Sequence, residues 1–388
     1  MHFILAIIQV AATLGMVSSA LYYLLCLWSA AEFLGKQKAA EGRAPQTFPP
    51  ISILKPLKGA DPEMYESFRS HCQQDYPEYE IIFGVSDPSD PAIEAVSRLQ
   101  CEFPDRRIRL FVSAKTLGAN AKVSNLAQMV GEACYEHLIV NDSDIRVEAD
   151  YLRCVVAPLS DPQIGLVTCL YRGVPAATLG SRLEALGIST DFCPSVLAAR
   201  QLEGGIRFGL GSTLAFRRAD LEKIGGFNSF VDYLADDYEL GKRIADLGLK
   251  VELSEVVVET FLPSYGLLNF FAHQLRWARG VRDARSAGYA GLVFTFGVLW
   301  ALIALLASAG ALWAGIGLAV TLLLRLAIAA MVGCGILSDR HTLKDSWLIP
   351  FRDLFAVAVW IASLAGDTVS WRGDRFRLKD GKLTLMSR

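Results

Sequence analysis

The sequence lacks several short motifs that assign a chain of 388 residues to a common class. Its eight cysteines form no Cys-x-x-Cys pair, so neither a zinc site nor a disulfide framework is indicated. No Gly-x-Gly-x-x-Gly follows the first predicted strand, and no P-loop motif is present, so neither common phosphate-binding loop is available. With 38 basic and 40 acidic residues, the chain has no basic excess, and we expect no nucleic-acid partner.

Charge is also absent from two long stretches near the ends. Residues 3–31 contain no charged side chain, and about 20 apolar residues span the hydrocarbon core of a bilayer. We predict an N-terminal transmembrane anchor over 1–31 rather than a cleaved signal peptide, because no positively charged region precedes it. Lys36, Lys38 and Arg43 follow the anchor and predict that the next part of the chain is cytoplasmic.

The second charge-free stretch covers 286–324 and is too long for one span. Glycines lie near its middle, so we predict a transmembrane helical hairpin over 289–337. Arg325 falls within the second arm, where an arginine is costly unless it faces protein, water or lipid headgroups.

A further segment over 346–371 contains Arg352, Asp353 and Asp367. It either spans the membrane or lies in the interface. The basic tail, 372–388, favours a segment that does not cross, because the tail then stays cytoplasmic.

Between these ends, residues 47–288 have the composition of a soluble domain. Short apolar runs alternate there with amphipathic segments, which predicts βαβ units and an α/β fold with a mainly parallel sheet. The predicted strands are 51–59, 80–87, 108–114, 137–144 and 164–172, and the predicted helices are 64–74, 91–100, 121–133 and 151–159.

Ligands of such sheets bind beyond the carboxyl ends of the strands, and two of these strands end in aspartate. Asp87 follows one strand, and Asp142 and Asp144 follow another in the sequence LIVNDSDIRV. Two carboxylates so spaced suit Mg²⁺ or Mn²⁺ bound to a diphosphate. The alternative is an Asx-type turn that caps the next helix.

Two other segments accompany this motif. In GANAKVSN, Lys122 suits a phosphate, and Asn120 and Asn125 suit a base or a sugar; the alternative is a simple helix start. In YLADDYELGKR, the adjacent Asp236 and Asp237 repel each other, which favours a proton acceptor. Acids that complement a helix dipole are the alternative there.

Two stretches next to the predicted membrane segments remain open. HQLRWARGVR places Arg276 beside Trp277 and is either a ligand-binding helix or a juxtamembrane basic belt. Residues 181–209 form either an amphipathic element on the membrane surface or an ordinary core helix. In FGLGSTLAFRR we predict a return to the sheet, with Gly209 and Gly211 allowing a close backbone approach to a ligand.

The segments VSDPSD, NDSD, ADDYELGKRIADLGL and HQLRW occur in the order typical of processive-type GT-A glycosyltransferases. Nearly the whole chain resembles the ceramide glucosyltransferase family, family 21, and the terminal SWRGDRFRL is similar too. Within it, KVSNL, SDIRV, GLVTCLYRGVP and FGLGSTLAFRR resemble the bacterial hopanoid-biosynthesis group. His273 departs from the family pattern, which has Gln or Arg there.

The resemblance implies a GT-A catalytic domain, cytoplasmic, in a multi-pass protein of the bacterial inner membrane. It implies transfer of one sugar with inversion from a UDP-sugar, UDP-N-acetylglucosamine by preference, to a hydroxyl of a hopanoid polyol such as bacteriohopanetetrol. Transfer from UDP-glucose to ceramide is the alternative. A polysaccharide synthase needs more spans for a secretion pore, and a non-catalytic scaffold would not need the acidic motifs.

The resemblance also implies residue roles. Asp237 is the general base and Asp236 orients it. Asp87 holds the uracil or ribose. Asp142 and Asp144 hold the ribose and a divalent metal, Mg²⁺ or Mn²⁺.

For the HQLRW segment, the resemblance implies that Arg276 and Trp277 contact the diphosphate and the acceptor site. Because a histidine titrates near pH ~6.5, we expect His273 to make donor binding depend on pH if it touches the diphosphate.

Overall fold

The computed structural model describes residues 2–40, 48–371 and 373–386. Arg43, the predicted domain start at Thr47, and the tail residues Arg372 and Arg388 lie outside the described residues. The predicted limits of the domains stay predictions.

The helices and strands alternate in the middle of the chain, whereas helices predominate after Phe261. The helices are α1 His2–Ala40, α2 Met64–Cys72, α3 Ala92–Glu102, α4 Ala121–Met129, α5 Tyr151–Val156, α6 Leu179–Gly187, α7 Cys193–Leu202, α8 Arg218–Lys223, α9 Asp236–Asp246, α10 Leu267–Ala284, α11 Ser286–Gly291, α12 Gly297–Ala307, α13 Leu312–Ile328, α14 Arg340–Asp345 and α15 Ile349–Leu364. The strands are β1 Ile51–Pro56, β2 Tyr79–Val85, β3 Arg107–Val112, β4 His137–Val140, β5 Ile145–Arg146, β6 Ile164–Val174, β7 Leu214–Arg217, β8 Lys250–Phe261, β9 Thr368–Trp371, β10 Asp374–Lys379 and β11 Lys382–Leu385.

The chain divides into two compact units, which we describe separately. The sheet unit consists of Lys36–Val174, Leu202–Pro263 and Gly381–Arg388. The helical unit consists of Met1–Gly35, Pro175–Gln201 and Ser264–Asp380.

The sheet unit is built on an eight-stranded sheet with the order β3-β2-β1-β4-β7-β6-β8-β5. The first four strands are parallel, β7 runs antiparallel to both of its neighbours, and β6 and β8 are parallel to each other. The mainly parallel sheet predicted from the sequence is therefore present, and FGLGSTLAFRR returns to it as β7.

The central strands are buried on both faces, as strands covered by helices are expected to be. Every residue of β2 is buried, and so are the first five residues of β1. In the parallel register, Ile53 lies opposite Ile81 on one side and Ile139 on the other. This apolar centre fixes where the carboxyl ends of β1, β2 and β4 lie.

The helical unit contains helices that are long and apolar enough to cross a membrane. By length and composition they are Phe3–Ala39, Leu312–Ile336 and Arg340–Leu364. A bent pair, Ser286–Thr295 with Gly297–Ala307, is either a broken span or a re-entrant loop. The chain is thus a membrane protein, with apolar helices near both ends as predicted.

The bent pair has a local cause. The helix breaks by 48° at Phe296, where backbone groups lose their helical partners. The Tyr23 hydroxyl accepts the Gly297 N–H at 3.1 Å and donates to the Thr295 carbonyl at 2.9 Å. Polar backbone atoms at membrane depth need such internal partners, so α1 stabilises the bend.

The predicted hairpin turns at Gly310, which has a φ of +81°. The turn separates α12 from α13, and Ala12 packs with Ala304 and Ala314 beside it. In the last predicted segment the helix ends at Leu364, earlier than expected. Gly366, with a φ of +77°, follows, and the chain then forms the β9–β10 hairpin.

The stretch 181–209 is mainly interior, which favours the core helix over a surface element. Leu183 and Leu186 of α6 pack in a buried cluster with Phe270 and Ile349. A π-helical turn over Ile188–Phe192 connects α6 to α7.

Arg325 is buried in the helical unit and faces protein, one of the alternatives expected for it. Its guanidinium lies 2.6 Å from Asp353 Oδ1 and 2.7 Å from Asp191 Oδ1, and it donates to the Thr190 carbonyl at 2.7 Å. Only 3% of its side chain is exposed. The two carboxylates offset the cost of a buried cation and link α13, α15 and the π-helical turn.

Replacing Asp353 by alanine should destabilise the helical unit by about 3 kcal/mol, because it leaves Arg325 buried with less compensation. Thermal unfolding of the full chain in detergent measures this. Asp367→Ala is the control, since Asp367 pairs with Arg377 at the surface, and it should leave the midpoint unchanged. Equal midpoints for both variants would contradict the assignment.

Candidate active site

The candidate site lies in the sheet unit, beyond the carboxyl end of β4. The buried Asn141 amide donates to the Ser212 carbonyl at 2.7 Å and to the Tyr151 hydroxyl at 2.9 Å, which fixes the start of the turn. The turn leaves Asp142 and Asp144 partly exposed at the sheet edge. The strand that ends in two carboxylates therefore delivers them to the edge where ligands of such sheets bind.

Lys122 joins two acidic segments of this site. Its Nζ lies 2.7 Å from Asp142 Oδ1 and 3.0 Å from Asp236 Oδ2. Burial acts to lower the pKa of Lys122, but the charges of Asp142 and Asp236 outweigh it and raise the pKa. Lys122 is therefore a permanent cation at neutral pH between the Asp-x-Asp turn and the start of α9.

Asp237 is held by backbone donors. Its Oδ2 accepts the Gly211 N–H at 2.9 Å, and its Oδ1 accepts the Tyr238 N–H at 2.8 Å. Burial raises the pKa of Asp237 to about 6, and the charge of Asp236 adds to the rise. Adjacent carboxylates predict this direction, although burial is the larger cause.

Gly211 is the point where the backbone comes closest to the carboxylates. A Cβ at this position would stand 2.9 Å from Asp142 Oδ2 and 3.4 Å from Asp237 Oδ2. A glycine here leaves room for both carboxylates, and the predicted approach of this backbone to a ligand stays a prediction.

Asp144, the second carboxylate of the turn, is partly shielded from solvent and hydrogen-bonded to β8. Its Oδ2 accepts the Thr260 hydroxyl proton at 2.6 Å. Burial, and then the charge of Asp142, raise the pKa of Asp144 to about 6. The two carboxylates of the Asp-x-Asp turn thus repel each other, and a bound cation would relieve that repulsion.

The other predicted residues of the sheet unit have separate surroundings. Asn125 donates to the Gly84 carbonyl at 2.7 Å, while its buried Oδ1 has no hydrogen-bond partner among the described residues. Asp87 is exposed; the Ser89 hydroxyl and N–H bind its carboxylate and lower its pKa. Asn120 caps α4 by accepting the Val123 N–H at 3.2 Å, so its role is structural.

Lys55 was not predicted from the sequence. It is fully buried, and its Nζ donates to the Asp142 carbonyl at 3.1 Å and lies 3.4 Å from His71 Nε2. Burial lowers the pKa of Lys55 to about 7 despite the nearby charges of Asp144 and Asp142. A lysine within the apolar strand ISILKP was the available signal, since lysine is almost never fully buried without a partner.

His273, Arg276 and Trp277 lie on α10 of the helical unit. His273 Nδ1 lies 3.1 Å from Glu184 Oε1, and the His273 ring is 5.1 Å from that of Trp277. The Trp277 ring also lies 6.4 Å from that of Phe192. The structure thus brings His273 and Trp277 together with α6 and the π-helical turn.

Farther along α10, Arg279 and Arg282 bind carbonyls at the end of α15. Arg279 donates to Thr368 and Ala365, and Arg282 donates to Ser363 and Gly366. These two arginines therefore bind the carbonyls that follow the end of a helix, and the two interpretations of this stretch stay predictions.

The fit of a metal ion can be judged from the donor set. Asp142 and Asp144 offer carboxylate oxygens, which hard divalent cations prefer. Among the described residues, no group of three or more His, Cys, Asp or Glu side chains is placed to hold a metal. The two aspartates therefore fit a cation that takes its remaining ligands from water or from phosphate oxygens.

A family model described as "Glycosyl transferase family 21" matches residues 11–384. The chain belongs to this family. Family 21 was predicted from the order of the acidic and aromatic motifs, and that prediction is confirmed.

This family 21 chain is similar in sequence to two curated proteins from Caenorhabditis elegans. Ceramide glucosyltransferase 3 is 27% identical over 60% of the chain and 50% of the relative. Ceramide glucosyltransferase 1 is 22% identical over 86% of the chain and 73% of the relative. The chain therefore spans about half the length of the first relative and about three quarters of the second.

Among solved structures, the family 21 chain is similar to the mannosyltransferase PcManGT from Pyrobaculum calidifontis, in complex with GDP-Man and Mn²⁺. The TM-score is 0.57 at 21% identity, with 93% of this chain and 99% of that chain covered. At this identity the likeness concerns the fold. The predicted GT-A fold, with apolar helices near both ends, is confirmed.

Proposed function

We propose that this protein is an inverting glycosyltransferase that moves one sugar from a UDP-sugar to a hydroxyl of a membrane lipid. The observation that carries the proposal is the convergence of Asp142, Asp236 and Asp237 around Lys122 at the edge of the sheet, with Asp144 close to Asp142. Membership of family 21 and the helices able to cross a membrane support the lipid acceptor.

Asp142 and Asp144 would hold a divalent cation, Mg²⁺ or Mn²⁺, together with the donor diphosphate. When bound, the cation offsets negative charge on the leaving UDP. The Mn²⁺ and GDP-Man in the PcManGT complex agree with this use of the fold. Asp142 also contacts the ribose in this proposal, Asp87 the uracil or ribose, and Asn125 the donor.

Lys122 carries a positive charge at the same edge and suits the diphosphate as a point charge. In the structure its Nζ contacts Asp142 and Asp236. A donor diphosphate would share this cation with the carboxylates, which links donor binding to the position of α9.

Asp237 is the proposed general base, and Asp236 orients the site. Asp236 is paired with Lys122, so its carboxylate is already engaged by a cation and suits the orienting role. Asp237, with a pKa of about 6, is ionised at neutral pH yet basic enough to take a proton.

The acceptor oxygen would attack the anomeric carbon while its proton passes to Asp237. The bond between that carbon and the diphosphate oxygen breaks in the same displacement, which inverts the anomeric centre. An α-linked donor then gives a β-linked product, without a covalent intermediate on the protein.

Our preferred donor and acceptor are UDP-N-acetylglucosamine and a hopanoid polyol such as bacteriohopanetetrol. Their basis is the resemblance of KVSNL, SDIRV and neighbouring segments to the bacterial hopanoid group. The names of the curated relatives favour a second candidate, transfer from UDP-glucose to ceramide. We place the protein in the bacterial inner membrane with its sheet unit in the cytoplasm, and assign Arg276 and Trp277 to the diphosphate and the acceptor.

The full chain in detergent, with Mg²⁺ or Mn²⁺, tests the function directly. Each UDP-sugar is offered with a hopanoid polyol or with ceramide, and the lipids are weighed by mass spectrometry. We expect a single N-acetylhexosamine on the hopanoid. A hexose on ceramide would replace the preferred pair, and no lipid product from any pair would overturn the proposal.

Asp237→Asn should lower kcat by about 10²–10⁴-fold, because asparagine cannot accept the proton. In the wild type, kcat should fall tenfold per pH unit below about pH 6, where Asp237 becomes protonated. Steady-state rates between pH 5 and 8 measure both effects. The control, Asp246→Asn, alters an exposed pair at the other end of α9 and should behave as the wild type. A wild-type profile that is flat through pH 6 would contradict the assignment of the base.

Gly211→Ala should lower kcat/KM at least about tenfold while the protein stays folded. The added Cβ meets the mobile ends of Asp142 and Asp237, so these carboxylates must move rather than the core. Gly131→Ala is the matched control, since a Cβ there has no neighbour within 4 Å. Equal rates for the two variants would remove Gly211 from the site.

A further inference from the structure

A buried carboxylate in the helical unit has no partner for one of its oxygens. Only 2% of Glu184 is exposed, and its Oε2 makes no hydrogen bond with any described residue. An ionised oxygen removed from water without a donor is costly, and native proteins rarely leave one in that state. Within the described part of the chain, Glu184 Oε2 is therefore available to a ligand or to water.

Two further buried polar atoms near Glu184 also lack a hydrogen bond within the described residues. The Tyr265 hydroxyl and His273 Nδ1 are buried and form no hydrogen bond with the described residues. His273 Nδ1 lies 3.1 Å from Glu184 Oε1, within ion-pair distance but without hydrogen-bond alignment. Three unsatisfied polar atoms in one place indicate a ligand or ordered water.

These side chains come from two segments that pack tightly. Glu184 lies on α6, His273 lies on α10, and Tyr265 immediately precedes α10. A Cβ at Gly180 would stand 2.6 Å from the Tyr265 carbonyl, so the two segments need a glycine to approach this closely. The packing fixes the three polar side chains in a preformed arrangement.

The surroundings favour a neutral, hydroxyl-bearing ligand. The His273 ring lies between aromatic rings, 6.0 Å from Tyr265 and 5.1 Å from Trp277. Glu184 repels anions such as phosphate, but accepts a hydrogen bond from an alcohol. Tyr265 can donate to the same alcohol or to a neighbouring one. Apolar walls with a few convergent polar groups are the usual design of a small-molecule site.

We propose that Glu184, Tyr265 and His273 bind hydroxyl groups in the headgroup of the lipid acceptor. This site rests on the proposed function, since it names the part of the protein that recognises that acceptor. A hopanoid polyol and the sphingoid end of ceramide share the required chemistry, and the experiment separates them.

The test combines transfer kinetics with direct lipid binding to the full chain in detergent. Glu184→Gln should raise the acceptor KM about tenfold to a hundredfold, because an NH₂ donor replaces one acceptor oxygen and the hydrogen bond loses its charged partner. The UDP-sugar KM should change less than about twofold. Tyr265→Phe, which removes only a hydroxyl, should raise the acceptor KM about threefold to tenfold. Each is measured with a hopanoid polyol and with ceramide, and the lipid that shows the rise is the one recognised here.

Glu80→Gln is the matched control. Glu80 is also a fully buried glutamate, and its Oε2 makes no hydrogen bond with the described residues, although Arg107 and Arg109 lie within 4.0 Å of it. It lies near the amino ends of the strands, where its Oε1 accepts from the Ser52 hydroxyl and the Cys134 N–H. It should leave the acceptor KM unchanged. An unchanged acceptor KM in both Glu184→Gln and Tyr265→Phe would overturn the proposal and indicate ordered water only.

Lipid retention, measured by native mass spectrometry, separates this inference from the proposed function. If the wild type transfers no sugar but retains a lipid that Glu184→Gln loses, the proposed function fails and the hydroxyl-binding site stands. If transfer occurs and Glu184→Gln retains and uses the lipid normally, the site fails and the function stands. If the wild type neither transfers nor retains either lipid, both fail.

Discussion

The ion pairs of Lys122 connect two acidic segments at the edge of the sheet where we propose the active site. Four aspartates, at positions 142, 144, 236 and 237, converge there from segments far apart in the chain. Without a cation their repulsion would drive the Asp-x-Asp turn and the start of α9 apart. Lys122 contacts one carboxylate of each segment, so it neutralises part of the charge and sets the distance between them.

The two adjacent aspartates, Asp236 and Asp237, have different partners. Asp236 is paired with Lys122, whereas Asp237 accepts the backbone N–H of Gly211 and has a raised pKa. Identical side chains, one residue apart, thus have different partners: a cation for Asp236 and backbone N–H groups for Asp237.

The helical unit also contains a buried charge that needs a partner, and its helices are apolar enough to cross a membrane. Arg325 is a cation buried among helices able to cross a membrane, and Asp353 and Asp191 offset its charge. The charged groups of this cluster compensate one another, and their role is structural. At Glu184, by contrast, one carboxyl oxygen makes no hydrogen bond with any residue that the structure describes, which is the basis of the ligand site proposed there.

The sequence by itself determined the class of fold, the apolar ends and the acidic motifs. These are local signals: short apolar runs that alternate with amphipathic segments, long runs without charged residues, and aspartates that directly follow apolar strands. It also predicted that Gly211 lies close to the site, and that the chain after β6 returns to the sheet. Each of these depends on neighbours within a few residues.

The tertiary structure alone decided which charges meet. Lys55 is read from the sequence as an ordinary lysine, yet packing buries it beneath Asp142. Arg325 pairs with Asp191 across 134 residues of sequence, and Glu184 lies beside His273 although the two are also far apart in the sequence. No periodic pattern records such pairs, because strand order and helix packing bring them together. Burial then sets the proton affinities on which the chemistry depends.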